Sequence, residues 1–107
     1  MQVSHQYILI DNDSLIRKSW QMQAKKVGVE LHTFSSVAEF LMSAASFNKE
    51  SLIYVDSDLD DGLLGEVEAK KIFDLGFFHI HLASGKLFNS DELPSYIQSA
   101  QSKRAPF

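Results

Sequence analysis

The sequence predicts an α/β domain built on a parallel sheet, and three observations lead there. Short apolar runs alternate with amphipathic stretches along most of the 107 residues. Several runs are continuously apolar, as in strands buried on both faces. Polar or acidic residues stop each run at its C-terminal end, the edge where parallel sheets bind ligands. A chain of this length is expected to form one domain, residues 1–107, large enough for a real core.

Gln6 to Ile10 (QYILI) is the first expected strand, ended by Asp11-Asn12-Asp13. Ser14 can cap a helix from Leu15, along which Ile16, Trp20, Ala24 and Val27 form a core-facing stripe and Gly28 is the stop. VELHTF, 29–34, alternates and reads as the second strand. Ser36-Val37-Ala38-Glu39 is a capping box, and Val37, Phe40, Leu41, Ala44 and Ala45 follow a helical period. Leu52 to Val55 is the third strand and Gly65 to Leu75 the third helix, stopped by Gly76. Phe77 to Ala83 reads as the fourth strand. Beyond it the pattern weakens: Ser90-Asp91-Glu92-Leu93 can make one helical turn before Pro94, and Tyr96 to Gln101 a short fifth strand. Alternation of this kind implies a parallel sheet with right-handed crossovers, and the sequence contains no internal repeat or linker.

Composition narrows the chemistry. Apolar residues make up 45% and charged residues 22%, an ordinary globular balance, and the net charge of −4 supplies no basic stripe for nucleic acid or anionic membrane. The absence of cysteine excludes disulfides, thiolate nucleophiles and cysteine-ligated metals. No apolar run reaches the roughly 18 residues of a spanning helix, and MQVSHQ lacks a signal-peptide pattern, so a cytoplasmic domain is expected.

LIYVDSDLDDG, 52–62, places four carboxylates within six positions. Like charges raise one another's pKa, so the cluster calls for a metal site, a phosphate-accepting carboxylate or a solvated turn. The strand-end rule brings Asp56 together with Asp11, Asn12 and Asp13, with Ser84 after strand four and with Lys103 after strand five. An aspartate that accepts a phosphoryl group needs a divalent cation to offset the anionic clash, and Mg²⁺ needs only one or two carboxylates among its oxygen ligands. An ammonium and a hydroxyl can hold the remaining phosphoryl oxygens. Asp11, Asn12, Asp56, Ser84 and Lys103 supply these parts. Each also has a plainer reading: Asn12 as an Asx turn, Ser84 with Gly85 as a strand-to-loop turn, Lys103 as a surface lysine with Lys86 as its rival.

Taken in order, ILIDNDSLIRKSW, TFSSVAEFL, LIYVDSDLDDG, IHLASG and SKRAPF resemble the receiver domains of two-component response regulators and hybrid histidine kinases. The resemblance covers nearly the whole chain. It implies a flavodoxin-like, three-layer doubly wound sheet in strand order 2-1-3-4-5. It implies that Asp56 accepts a phosphoryl group from a histidine kinase or histidine phosphotransfer domain. Mg²⁺ would be held by Asp11, Asn12, Asp56 and the backbone carbonyl of Asp58, while Ser84 and Lys103 bind the phosphoryl group. Asp13 corresponds to a peripheral acid.

The departures are specific. The second acid after strand one is Asn12, which can ligate a metal but brings no charge, so weaker Mg²⁺ binding is expected. Asp58, Asp60 and Asp61 crowd a shortened loop, and Lys86 is expected over the pocket, paired with Asp58. Ala100 stands three positions before Lys103, where many receivers place a switch aromatic. The fourth helix is expected to be short or missing and the fifth absent, giving a truncated receiver that looks most like those at the C-termini of some hybrid sensor kinases. A pseudo-receiver that binds partners without phosphotransfer is the alternative function.

Three other readings are weaker. VDSDLDDG resembles the D-x-D motif of haloacid-dehalogenase phosphatases, with Asp56 as nucleophile and Asp58 as general acid, but in those enzymes the motif ends the first strand of a longer chain. A calcium loop begun at Asp56 would put Gly62 one position late and Val67 where its glutamate belongs. His79 and His81 share a strand face without an apparent third ligand and are expected to pack under a helix.

Overall fold

The structure, a computed structural model, describes residues 6–59, 62–86 and 88–107. Five strands, β1 (Gln6–Ile10), β2 (Glu30–Phe34), β3 (Leu52–Val55), β4 (Ile80–Ala83) and β5 (Ser99–Gln101), pair in parallel in the order β2-β1-β3-β4-β5. Helices α1 (Ser14–Val27), α2 (Val37–Leu41) and α3 (Gly65–Phe73) connect the first four. The expected doubly wound sheet and strand order are present.

Local chemistry accounts for most boundaries. The cap of α1 lies one residue earlier than expected: Asp13, not Ser14, accepts the Leu15 N–H at 2.9 Å. Gly28 closes the helix in the left-handed region, φ 79°. At Ser36 the hydroxyl accepts the Glu39 N–H, and Glu39 reaches back to the N–H of Ser35 rather than of Ser36. Helix α2 stops after Leu41, shorter than its apolar period implies, and a 3₁₀ turn takes over at Ala44–Ser46. There the Ser46 hydroxyl donates to the Ser43 carbonyl, a local bond that competes with continued helix. Ala44 is buried and Ala45 exposed.

The last third departs furthest from expectation. Strand β4 begins at Ile80 instead of Phe77, although Phe77 is fully buried and the His79 carbonyl already accepts from Ile53. The helices, by contrast, follow expectation: between β4 and β5 the described residues form only a 3₁₀ turn at Ser90–Glu92, and after β5 they form no helix. Tyr96 and Ile97, expected in β5, instead pack their side chains on the core ahead of it.

The two faces are unequal. One carries the main core, in which Ile8, Ile10, Ile53, Val55, Ile80 and Leu82 of the strands meet Val37 and Phe40 of α2 and Ala69 and Ile72 of α3. The other holds a smaller cluster of Leu9, Trp20, Tyr54 and Ala83, completed by Ala105 and Phe107 of the tail. Phe107 sits edge-on to Tyr7 and Trp20, with ring centroids 5.0 and 5.9 Å apart. His79 and His81 do not pack under a helix as expected. Both are partly exposed, and His81 stacks on Tyr54 and bonds Ser99. Among the described residues no helix is long and apolar enough to cross a membrane.

One close approach ties the second half of the sheet to α3. A Cβ built on Gly65 would lie 1.8 Å from the Asp56 carbonyl oxygen, while the Gly65 N–H donates to the Ser57 carbonyl at 3.0 Å. Only glycine lets the start of the helix seat directly against the strand end. Gly65→Ala is therefore expected to destabilise the protein by about 1–3 kcal/mol, because the clashing carbonyl carbon and oxygen of Asp56 belong to backbone. A urea midpoint within error of wild type would contradict this packing.

Candidate functional site

Three strand ends meet at one level of the sheet. Ile10 lies beside Val55, Val55 beside Leu82, and Leu82 beside Ala100. Just past the strand ends Ile10, Val55 and Ala83 the ladder is still bonded: Asp11 N–H donates to Phe34, Asp56 N–H to Ile10 and Ser84 N–H to Gln101, at 3.0, 2.9 and 2.9 Å. Backbone pairing thus fixes Asp11, Asp56 and Ser84 where their strands end. All three are buried, with 0%, 1% and 3% of their surface exposed.

Each carboxylate divides its oxygens between two tasks. Asp11 Oδ1 accepts the Asp13 N–H at 2.9 Å and Asp56 Oδ1 accepts the Asp58 N–H at 3.2 Å. The two Oδ2 atoms are buried without a directed hydrogen bond, and both face the Lys103 ammonium, at 3.4 and 3.2 Å. One lysine charge therefore answers two carboxylate charges. The imbalance explains why Asp11 and Lys103 shift in the same direction. Burial, reinforced by the Asp56 charge, pushes the Asp11 pKa up despite the Asp13 N–H and Lys103. Burial alone would lower that of Lys103, but the two carboxylates outweigh it and hold it above its ordinary value.

Lys103 owes its position to the other face of the sheet. Its backbone carbonyl accepts the Trp20 indole N–H at 2.8 Å, and the tail beyond it is packed by Phe107 against that same ring. The indole, expected only as a core residue, thus anchors the segment that delivers the ammonium.

The loop after Asp56 folds back tightly. Leu59 N–H bonds the Leu63 carbonyl, and Asp58 and Leu64 form a single antiparallel bridge. The Asp58 side chain is largely exposed and pairs with Lys86 Nζ at 2.9 Å, the contact expected from the sequence. That bond raises the Lys86 pKa. Asp60 and Asp61, expected to crowd the site, lie outside the described residues. Asn12 is half-buried after β1, and Asp13 caps α1.

Ser84 opens onto a cleft of about 440 Å³ whose lining includes Lys86, Phe88, Ala100 and Lys103. Ala100 leaves that cleft open where a ring at its position would reach into it. Sequence reasoning missed Ser57, whose hydroxyl lies 2.6 Å from that of Ser84 with 0% exposure. Its signal was a small polar residue directly after Asp56, at the end of an apolar strand. It also missed the close seat of Gly65.

Among the described residues no three His, Asp or Glu side chains converge to hold a metal ion. The unbonded Oδ2 atoms of Asp11 and Asp56 are nonetheless suited to one hard cation, provided that neutral oxygens such as the Asn12 amide and the Asp58 carbonyl complete its shell.

A parallel sheet in the order 2-1-3-4-5, with acids ending its first and third strands, defines a doubly wound protein of the flavodoxin-like class. Within that class the fold is that of the CheY-like receiver domains. A response regulator receiver domain protein from Methanospirillum hungatei JF-1 superposes with a TM-score of 0.66 at 15% identity, over 96% of this chain and 83% of that one. The response regulator StyR gives 0.69 at 15% identity, over 98% of this chain and 53% of its own, so the chain spans about half the length of StyR. No family model matches the chain, and no curated protein matches it in sequence.

Removing one charge should separate the roles of the site residues. A group whose folded pKa is raised contributes stability below its unfolded value and loses it as the pH rises through the folded one. Asp11 is such a group, so at neutral pH its charge opposes folding. Asp11→Asn should stabilise the protein by about 1 kcal/mol at pH 7, an advantage that shrinks toward pH 4. Lys103→Met should destabilise it by about 1–3 kcal/mol at pH 7, less in acid. Denaturation of the three proteins across this range checks both signs, and equal stabilities at pH 7 would contradict the electrostatic picture.

Proposed function

We propose that the chain is a phosphorelay receiver in which Asp56 takes a phosphoryl group from the phosphohistidine of a histidine kinase or histidine phosphotransfer domain. The observation that supports this best is the meeting of Asp11, Asp56, Ser84 and Lys103, far apart in sequence, at one rim of a receiver-type sheet. In the step, an Asp56 carboxylate oxygen attacks phosphorus. The new O–P bond forms as the P–N bond to imidazole breaks, and the ring nitrogen keeps the electron pair. Lys103 and the Ser84 hydroxyl meet the phosphoryl oxygens as they leave the donor. Asp11, Asn12, Asp56 and the Asp58 carbonyl would hold Mg²⁺, which when bound would offset the clash between the carboxylates and the incoming phosphoryl group. The product is a modified protein whose altered rim signals onward, with no metabolite turned over.

The phosphatase reading loses its acid–base partner, since Asp58 points to solvent and is ion-paired with Lys86. One observation favours the pseudo-receiver: Lys103 already spans both carboxylates, and Asn12 brings no charge to compete a cation into its place. Intact mass after incubation with acetyl phosphate and Mg²⁺ decides between them. A phosphorelay receiver gains one phosphoryl unit, lost in Asp56→Ala and on chelation. A wild type of unchanged mass that also gives no saturable spectral response to beryllofluoride with Mg²⁺ is a pseudo-receiver.

A further inference from the structure

The buried pair of hydroxyls behind the acceptor has one more consequence. Ser57 Oγ and Ser84 Oγ are 2.6 Å apart, and Ser84 Oγ also accepts the Lys86 N–H at 3.0 Å. The pair has two protons, and only one lies between the oxygens. Were Ser84 the donor, the Ser57 proton would be left in a site with 0% exposure and no other hydrogen-bond partner for that hydroxyl among the described residues. Burying a donor unmade is the costlier arrangement. With Ser57 as donor, Ser84 accepts from two sides and its own proton turns to the cleft it shares with Lys86 and Lys103.

We infer that Ser57 is a positioning residue for phosphoryl transfer, holding the Ser84 hydroxyl with its proton directed outward as a ready donor. This rests on the phosphorelay reading and deepens it. Ser57 itself touches no phosphoryl oxygen; it is held by the strand and by the bond from Gly65 N–H to its own carbonyl. Without it Ser84 keeps one acceptor bond, from Lys86, and its proton is free to rotate inward. The donor is then oriented only at the moment of reaction instead of beforehand.

The test compares wild type, Ser57→Ala, Ser84→Ala and the double variant, by initial rate of phosphoryl uptake from acetyl phosphate with Mg²⁺ and by the amide resonance of Lys86 before phosphorylation. Alanine fits wherever serine does, and thermal melting confirms that each variant is folded. Ser57→Ala should slow uptake by about three- to tenfold and move the Lys86 amide, and in the Ser84→Ala background it should slow uptake no further. An uptake rate in Ser57→Ala equal to wild type, or losses that multiply in the double variant, overturns the inference while leaving the phosphorelay reading intact. A wild type that takes up no phosphoryl group overturns both.

Discussion

The rim of the sheet is organised by a charge deficit: two buried carboxylates and a single ammonium between them. Asp11 and Asp56 repel one another, and burial raises the penalty for keeping both ionised. Lys103 relieves part of it. That leaves a pocket still short of positive charge, with two carboxylate oxygens that depend on the same ammonium. The same shortage appears in the upward shifts of both Asp11 and Lys103, two groups that a balanced ion pair would have moved apart.

Holding such a pocket open requires support from every layer. The β-ladder bonds of Asp11, Asp56 and Ser84 set their height. From below, Gly65 lets α3 press against the Asp56 carbonyl, and Asp58, bridged to Leu64, turns its side chain outward to Lys86. From the opposite face, Trp20 grips the Lys103 carbonyl and Phe107 packs on the same indole. The tail does there some of the covering that a helix after β5 would do. Lys103 thus depends on aromatic packing that has no part in the chemistry itself.

Neutral contacts set the finer geometry. Ser57 and Ser84 share a proton in the interior, and the open cleft beside Ala100 leaves room for Ser84 and the loop after it to move. A receiver with a ring at position 100 would couple Ser84 to that ring. Here the space is lined by Phe88 and Ala100 instead, and the bond from the Lys86 N–H is what ties Ser84 to the loop after it.

Much of this was legible from residue order alone. Apolar runs broken by acids determined β1 and β3, and with them Asp11 and Asp56, because a strand buried on both faces tolerates a carboxylate only at its end. Capping chemistry at Ser36 and the turn at Gly28 are local and read equally well. What only the tertiary structure decided are the contacts between segments far apart in sequence. The Trp20 bond to Lys103 spans 83 positions and the Ser57 bond to Ser84 spans 27. The weak periodicity after Ala83 pointed to little helix there but could not reveal that Tyr96 and Ile97 join the core before β5 begins. Residue patterns record which side chains seek burial, whereas the partner each one meets is set by how the strands stack.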